Sequence, residues 1–201
     1  LYHKIMSFIK SLIINISVEP VTLLFILITY LEYASVQDLI FTKLCFAKIN
    51  TTDNAFCSKS GDHISKSQLK EIQTETSNYL LYYNAILSFF GIFSSFLAGS
   101  YGDKHGRLLP MSIPSIFSIV VQILLLICSI FENLTFIVFV CAFISGISAG
   151  SVGVIANSFG FVADITTHKN RTKRITILEA SLFFGSFAGN LIAGSLIKTF
   201  V

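Results

Sequence analysis

The sequence predicts an all-α polytopic membrane protein, and three observations carry that prediction. Of 201 residues, 53% are hydrophobic and only 12% are charged, against about 25% charged in an ordinary soluble domain. Mean hydropathy is +0.75, too high for a soluble fold to cover its apolar surface. Five apolar runs reach the length of about 20 residues that a bilayer requires, and lipid leaves helices as the open-ended way to cross it. The excess of basic residues, 14 against 11 acidic, is small. No basic patch is interleaved with aromatics, which excludes nucleic acid as a partner.

Taken in order, residues 1–19 hold Lys4, Lys10 and a short apolar run, Leu12–Val18. No small-residue cleavage site follows, so this reads as a cytosolic lead-in rather than a signal peptide. The spans are expected at Pro20–Phe41, Tyr79–Tyr101, Leu108–Phe131, Leu134–Val162 and Ile175–Lys198. The fourth is long enough to tilt. The chain starts at Leu1 with its first methionine at Met6, and stops at Val201 in or just past an apolar run. It reads as a fragment.

Orientation follows from short-loop basic residues. The Gly99–Pro110 turn carries Lys104 and Arg107, and Thr166–Arg174 carries Lys169, Arg171, Lys173 and Arg174. Glu132-Asn133 carries none. Both basic connections lie on one face, expected to be cytosolic, with the N-terminus beside them. Segment 42–78 is then an extracellular or luminal loop. Asn50-Thr-Thr52 is a glycosylation sequon there. Cys45 and Cys57 share that compartment, where disulfides persist. They pair with each other or with a cysteine elsewhere. Cys128 and Cys141 fall inside apolar runs and read as buried thiols.

Small residues recur every four positions at Gly91, Ser95 and Gly99, at Gly146 and Gly150, and at Gly185, Gly189 and Ala193. Each set forms one stripe where backbones can approach. The spacing fits both simple packing and the sliding of a moving transporter.

Charge inside the bilayer costs about 2.5–3.5 kcal/mol on insertion scales, so acids there need a reason. Glu32 lies near the middle of the first span, Asp38 about two turns on, and Glu179 little more than a turn into the fifth. A carboxyl that is neutral when closed off and ionised when wetted suits a proton carrier. Asp38 reads as an interfacial acid. Asn84, Gln122, Asn157 and Asn190 are amides that either bond between helices or line a substrate pathway. His3, His63, His105 and His168 are scattered. No metal-ligand spacing, phosphate loop, nucleophile elbow or zinc-type cysteine pair occurs. No metal or other cofactor is expected, and nothing supports an enzyme.

Gly99-x-x-x-Asp103-x-x-Gly106-Arg107 resembles the signature between the second and third helices of the major facilitator superfamily, with Leu108 where a second basic residue usually follows. As a latch, Asp103 caps or pairs at neighbouring helix ends, the glycines allow close approach, and Arg107 finds carboxylates or carbonyls. Val18-Glu-Pro20, Leu81-Tyr-Tyr-Asn84, Ala163-Asp-Ile-Thr166, Arg171-Thr-Lys-Arg174 and Leu178-Glu-Ala-Ser181 follow in order. The set resembles the proton-coupled folate transporter family, solute carrier family 46.

The resemblance implies a fold of twelve helices in two halves, each an inverted pair of three-helix repeats. Residues 1–201 would be five helices of an incomplete N-terminal bundle, with the sixth helix and the C-terminal half missing. It implies a proton-coupled symporter of organic anions or folate-like solutes, working by alternating access in the plasma or lysosomal membrane. The coupling ion is a proton, and the partners are a small organic solute, the bilayer and the missing half. Glu179 matches a glutamate implicated in proton coupling, with Glu32 as a second candidate. Gly99, Asp103, Gly106 and Arg107 match the cytosolic gate, residues 99–110. Asn84, Gln122 and Asn157 are candidates for the substrate pathway. Asn50 resembles a glycosylation site, and Cys57 an outer-loop cysteine bonded to the second half. The rival readings are a non-transporting multispan scaffold or receptor, and an inactive truncated transporter. A tetraspanin-like scaffold would show four helices and a large cysteine-rich second outer loop. Here that loop is two or three residues.

Overall fold

The structure, a computed structural model, describes residues 18–49, 66–131 and 136–200. The described residues form six helices and no strand: α1 Glu19–Ile49, α2 Lys66–His105, α3 Leu108–Ile130, α4 Phe136–Ile147, α5 Gly150–Ile165 and α6 Arg171–Phe200. Among the described residues five segments are long and apolar enough to cross a membrane, with α4 and α5 together making the fourth. The all-α multi-span class therefore holds. The lead-in up to residue 17, Asn50, Cys57 and Asn133 lie outside the described residues.

Two local features differ from the sequence expectation. The fourth span is not one continuous helix. Ala149 has φ 67° and Gly150 φ 46°, both left-handed, so the chain breaks between α4 and α5. The Ala149 N–H turns back to the Gly146 carbonyl at 3.0 Å, and α5 restarts with Gly153 N–H on the Ala149 carbonyl at 2.8 Å. The local sequence Ser145-Gly-Ile-Ser-Ala-Gly-Ser151 explains the break, because glycine and serine hold a helix weakly. Hydropathy alone does not register it.

The second difference concerns segment 42–78, which is helical at both ends rather than a loop throughout. Its polar residues suggest a connection. Yet α1 continues to Ile49 and α2 begins at Lys66. Lys48 holds Glu71 and Glu75 at 2.7 Å each. Those two acids lie one helical turn apart on α2. Beneath them Cys45 and Ile72 are buried together among Phe41, Leu44, Phe46 and Leu69. Ion pairs and a small apolar cluster thus carry both helices past the bilayer-length runs.

Helix α1 packs along α6, and α2 along α4 and α5. The stripe on α6 is where the first contact becomes closest. A methyl added at Gly185 would stand 2.7 Å from the Leu23 carbonyl oxygen, and one at Gly189 2.8 Å from that of Leu27. At Gly146 on α4 it would meet Phe90 Cβ at 2.9 Å and the Leu87 carbonyl at 3.0 Å on α2. The main core joins Val36 and Ile40 of α1, Tyr83 of α2, Val121, Leu125 and Cys128 of α3, and Val138, Cys141 and Ala142 of α4. Both cysteines are buried, as expected. Large apolar side chains such as Phe96 and Phe183 are exposed on the bundle surface, which suits lipid or protein around it rather than water.

Candidate functional site

The Gly99–Pro110 turn is tight because α2 runs on to His105 and α3 begins at Leu108. Gly106 makes the reversal with φ 97°, a conformation that costs an L side chain about 1–2 kcal/mol. Its N–H closes the helix end on the Gly102 carbonyl at 3.0 Å. The next residue, Arg107, is thereby aimed across the end of α5. Its Nη2 reaches Asp103 Oδ1 at 2.5 Å and its Nε reaches Asp164 Oδ2 at 2.7 Å.

The guanidinium lies on bare backbone. A Cβ at Gly160 would overlap Arg107 Cζ and Nη1, so only glycine leaves room for it. Beside it, a Cβ at Gly102 would fall 2.7 Å from Asn157 Oδ1. Asn157 is buried; its amide donates to the Gly153 carbonyl at 2.8 Å, and its Oδ1 has no hydrogen-bond partner among the described residues. Of the expected gate residues, Asp103, Gly106 and Arg107 are joined in this turn. Gly99 faces open space. Asp164, Gly160 and Gly102 complete the arrangement and lie outside the motif residues expected at the gate. Asp164 sits within Ala163-Asp-Ile-Thr166, so a motif signal for it exists.

Two more arginines tie the same end together. Arg171 Nη2 donates to the Ala163 carbonyl at 3.1 Å, capping α5. Arg174 Nη2 lies 2.8 Å from Glu19 Oε1, with the Glu19 side chain 5% exposed. The second oxygen of Glu19 accepts the Val18 N–H at 3.2 Å. Glu19 lies in the Val18-Glu-Pro20 motif and Arg174 in Arg171-Thr-Lys-Arg174.

Midway along the first span, Glu32 lines a cavity of about 80 Å³ with Phe25, Thr29, Tyr33, Tyr83 and Ser118, and with Ser148 and Ser151 at the α4–α5 break. Ser118 donates to the Glu32 carboxylate at 3.3 Å, and Gln122 is hydrogen-bonded to it too. Asn84 donates to the Tyr33 hydroxyl at 3.1 Å. Thus Glu32, Gln122 and Asn84 gather around one region, while Asn157 belongs to the Arg107 end. Glu179 lies apart, exposed on α6. Asp38 lines a separate groove of about 570 Å³ with Gln37, Gln73, Thr76 and Ser77. No cluster of three or more metal-ligating side chains occurs among the described residues.

Five spans, a glycine-arginine turn ion-paired to the end of the fourth, and an acid-bearing cavity midway along the first make a polytopic α-helical membrane bundle. Residues 71–201 match the family model described as Major Facilitator Superfamily, and the chain belongs to that superfamily. It is a multi-pass membrane protein of a transporter family, not of an enzyme family. Over 178 residues it is 28% identical to the lysosomal proton-coupled steroid conjugate and bile acid symporter SLC46A3 of Gallus gallus, covering 86% of this chain and 38% of that protein. It is 29% identical over 151 residues to the proton-coupled folate transporter of Rattus norvegicus, covering 69% and 30%. Against that of Bos taurus the figures are 29% over 134 residues, covering 64% and 28%. The chain therefore spans well under half the length of the curated relatives it matches. These relatives are members of solute carrier family 46, the family whose ordered motifs the sequence resembles.

Proposed function

We propose that this chain forms part of a proton-coupled symporter that carries a small organic solute, of the organic-anion or folate-like class, by alternating access. The observation that carries the reading is the contact of Arg107 with Asp103, Asp164 and Gly160. It fastens the turn between the second and third spans to the end of the fourth. Both carboxylates are more than half exposed, where an ion pair contributes about 0–1 kcal/mol. Such contacts break and re-form without unfolding a helix, as a gate requires. The short-loop basic residues support a cytosolic position for this gate.

Glu179 takes the coupling proton in this reading. It is a carboxyl on the exposed side of an apolar helix, and it matches the glutamate of the resembled family. The solute passes between this bundle and a second half, with Asn84 and Gln122 near the path. Segment 42–78 is extracellular or luminal, with Asn50 glycosylated and a disulfide formed by Cys45 or Cys57. The relatives are named for steroid conjugates, bile acids and folate, which supports solutes of that class. A lysosomal membrane has support from one relative's name.

The test is uptake of a labelled bile acid and a labelled folate into vesicles holding the full-length protein. An inward acid gradient is expected to drive accumulation, and Glu179→Gln to remove that dependence. Gradient-driven uptake unchanged in Glu179→Gln would take the proton away from Glu179. Uptake indifferent to the gradient in the unaltered protein would overturn symport.

A further inference from the structure

The cavity around Glu32 is rich in hydrogen-bond acceptors. The Thr29 hydroxyl donates to the Phe25 carbonyl at 2.9 Å, and the Ser148 hydroxyl to the Ser145 carbonyl at 2.8 Å. The Ser118 hydroxyl points its proton at Glu32 itself. The Tyr33 oxygen receives the Asn84 amide. With three hydroxyl protons directed to carbonyls or to the carboxylate, lone pairs remain for an occupant.

Among the described residues, no lysine, arginine or histidine lines the cavity. The other titratable side chains that line it are Tyr33 of α1 and Tyr83 of α2, neither of them cationic. The side chains that α3 and α5 bring to the cavity, Ser118 and Ser151 among them, carry no charge. Glu179 of α6 is exposed elsewhere. A carboxylate ringed by oxygen lone pairs attracts positive charge and N–H donors, and away from bulk water that preference strengthens. A volume of about 80 Å³ exceeds the roughly 10–15 Å³ that admits one water, so a small polar group can enter.

We propose that this cavity seats the ammonium or N–H-donating group of the transported solute, with Glu32 as its anionic partner and the Thr29 and Ser148 oxygens as further acceptors. The assignment deepens the transport reading and rests on it. It gives Glu32 a solute-binding role distinct from the proton at Glu179. It also narrows the solute to one that bears an amine or a comparable donor, with any anionic group of that solute met outside this cavity.

The experiment is thermal unfolding of the purified full-length protein near neutral pH, with methylammonium chloride, sodium acetate or sodium chloride at matched ionic strength. Methylammonium is expected to raise Tm by about 2–4 °C at concentrations some tenfold above its Kd. Acetate and sodium chloride are expected to leave it unchanged. The shift should vanish in Glu32→Gln. If that variant does not fold, Ser148→Ala keeps the charge, removes one acceptor and should shrink the shift. Protection by acetate, equal protection by sodium chloride, or a full shift in Glu32→Gln would each overturn the proposal. Uptake indifferent to an acid gradient would instead strike the symport reading and leave this selectivity standing.

Discussion

Arg174 and Glu19 join the first turn of α6 to the first residue of α1, Nη2 to Oε1 at 2.8 Å, with the two side chains 13% and 5% exposed. The pair closes the end of the bundle opposite Lys48 and its two glutamates. Glu19 is enclosed, and its carboxylate is met there by this guanidinium and by the Val18 N–H.

Removing one partner of an enclosed pair leaves the other charge uncompensated, at a cost of roughly 3–5 kcal/mol. Arg174→Gln is therefore expected to lower the Tm of the full-length protein by several degrees. The double variant Glu19→Gln with Arg174→Gln should recover much of that loss, since neither charge is then stranded. Thermal unfolding of the three variants checks this. A single variant as stable as the parent would show that the pair holds nothing together.

Gly160→Ala separates gating from folding. Its new methyl would overlap Arg107 Nη1 and Cζ. The obstructing atoms are the far end of a flexible side chain, so the guanidinium swings away and the helix survives. The expected result is a stability within about 1 kcal/mol of the parent's, with Arg107 no longer joined to Asp164. A cysteine placed in the 99–110 turn should then react faster with a membrane-impermeant thiol reagent from the cytosolic side. Unchanged reactivity would mean that the Arg107–Asp164 pair does not hold the gate shut.

Gly189→Val tests the other kind of crowding. Its side chain would meet the Leu27 carbonyl at 2.8 Å and Tyr30 Cβ at 3.0 Å. Backbone cannot step aside as an arginine can, so α1 and α6 must separate, at about 1–3 kcal/mol or more. Gly91→Ala, where nothing stands within 4 Å, is the control and should be tolerated. Yields and unfolding temperatures of the two variants compare the sites directly.

How far the sequence reveals this structure depends on the kind of signal. The five spans are legible because lipid demands long apolar runs. The Arg107 turn is legible because charge is rare there and its glycines are spaced for a reversal. The partners of Arg107 are less so: Asp164 lies 57 residues away, and Gly160 looks like any small residue in a helix. Pairing across the bundle is a tertiary fact that periodicity does not encode. The same holds for Glu32, whose position is plain from sequence while the hydroxyls around it come from α1, α2, α3 and the α4–α5 break. The break in the fourth span is hidden because hydropathy averages over it.

That break supplies the last prediction. Ala149 holds φ 67°, a conformation in which its Cβ crowds its own carbonyl by about 1–2 kcal/mol. Glycine has no such penalty, though it loses more freedom on folding. Ala149→Gly is therefore expected to be neutral or stabilising by up to about 1 kcal/mol. Ala149→Val should destabilise, since a β-branched residue is a worse fit still at positive φ. Because Ser148 and Gly150 flank Ala149 on the wall of the Glu32 cavity, the valine variant should also disturb that wall. The expected sign is a reduced Tm shift with methylammonium, beyond the general loss of stability. A valine variant as stable as the glycine one would mean that the chain passes Ala149 as a continuous helix, with no break to line the cavity.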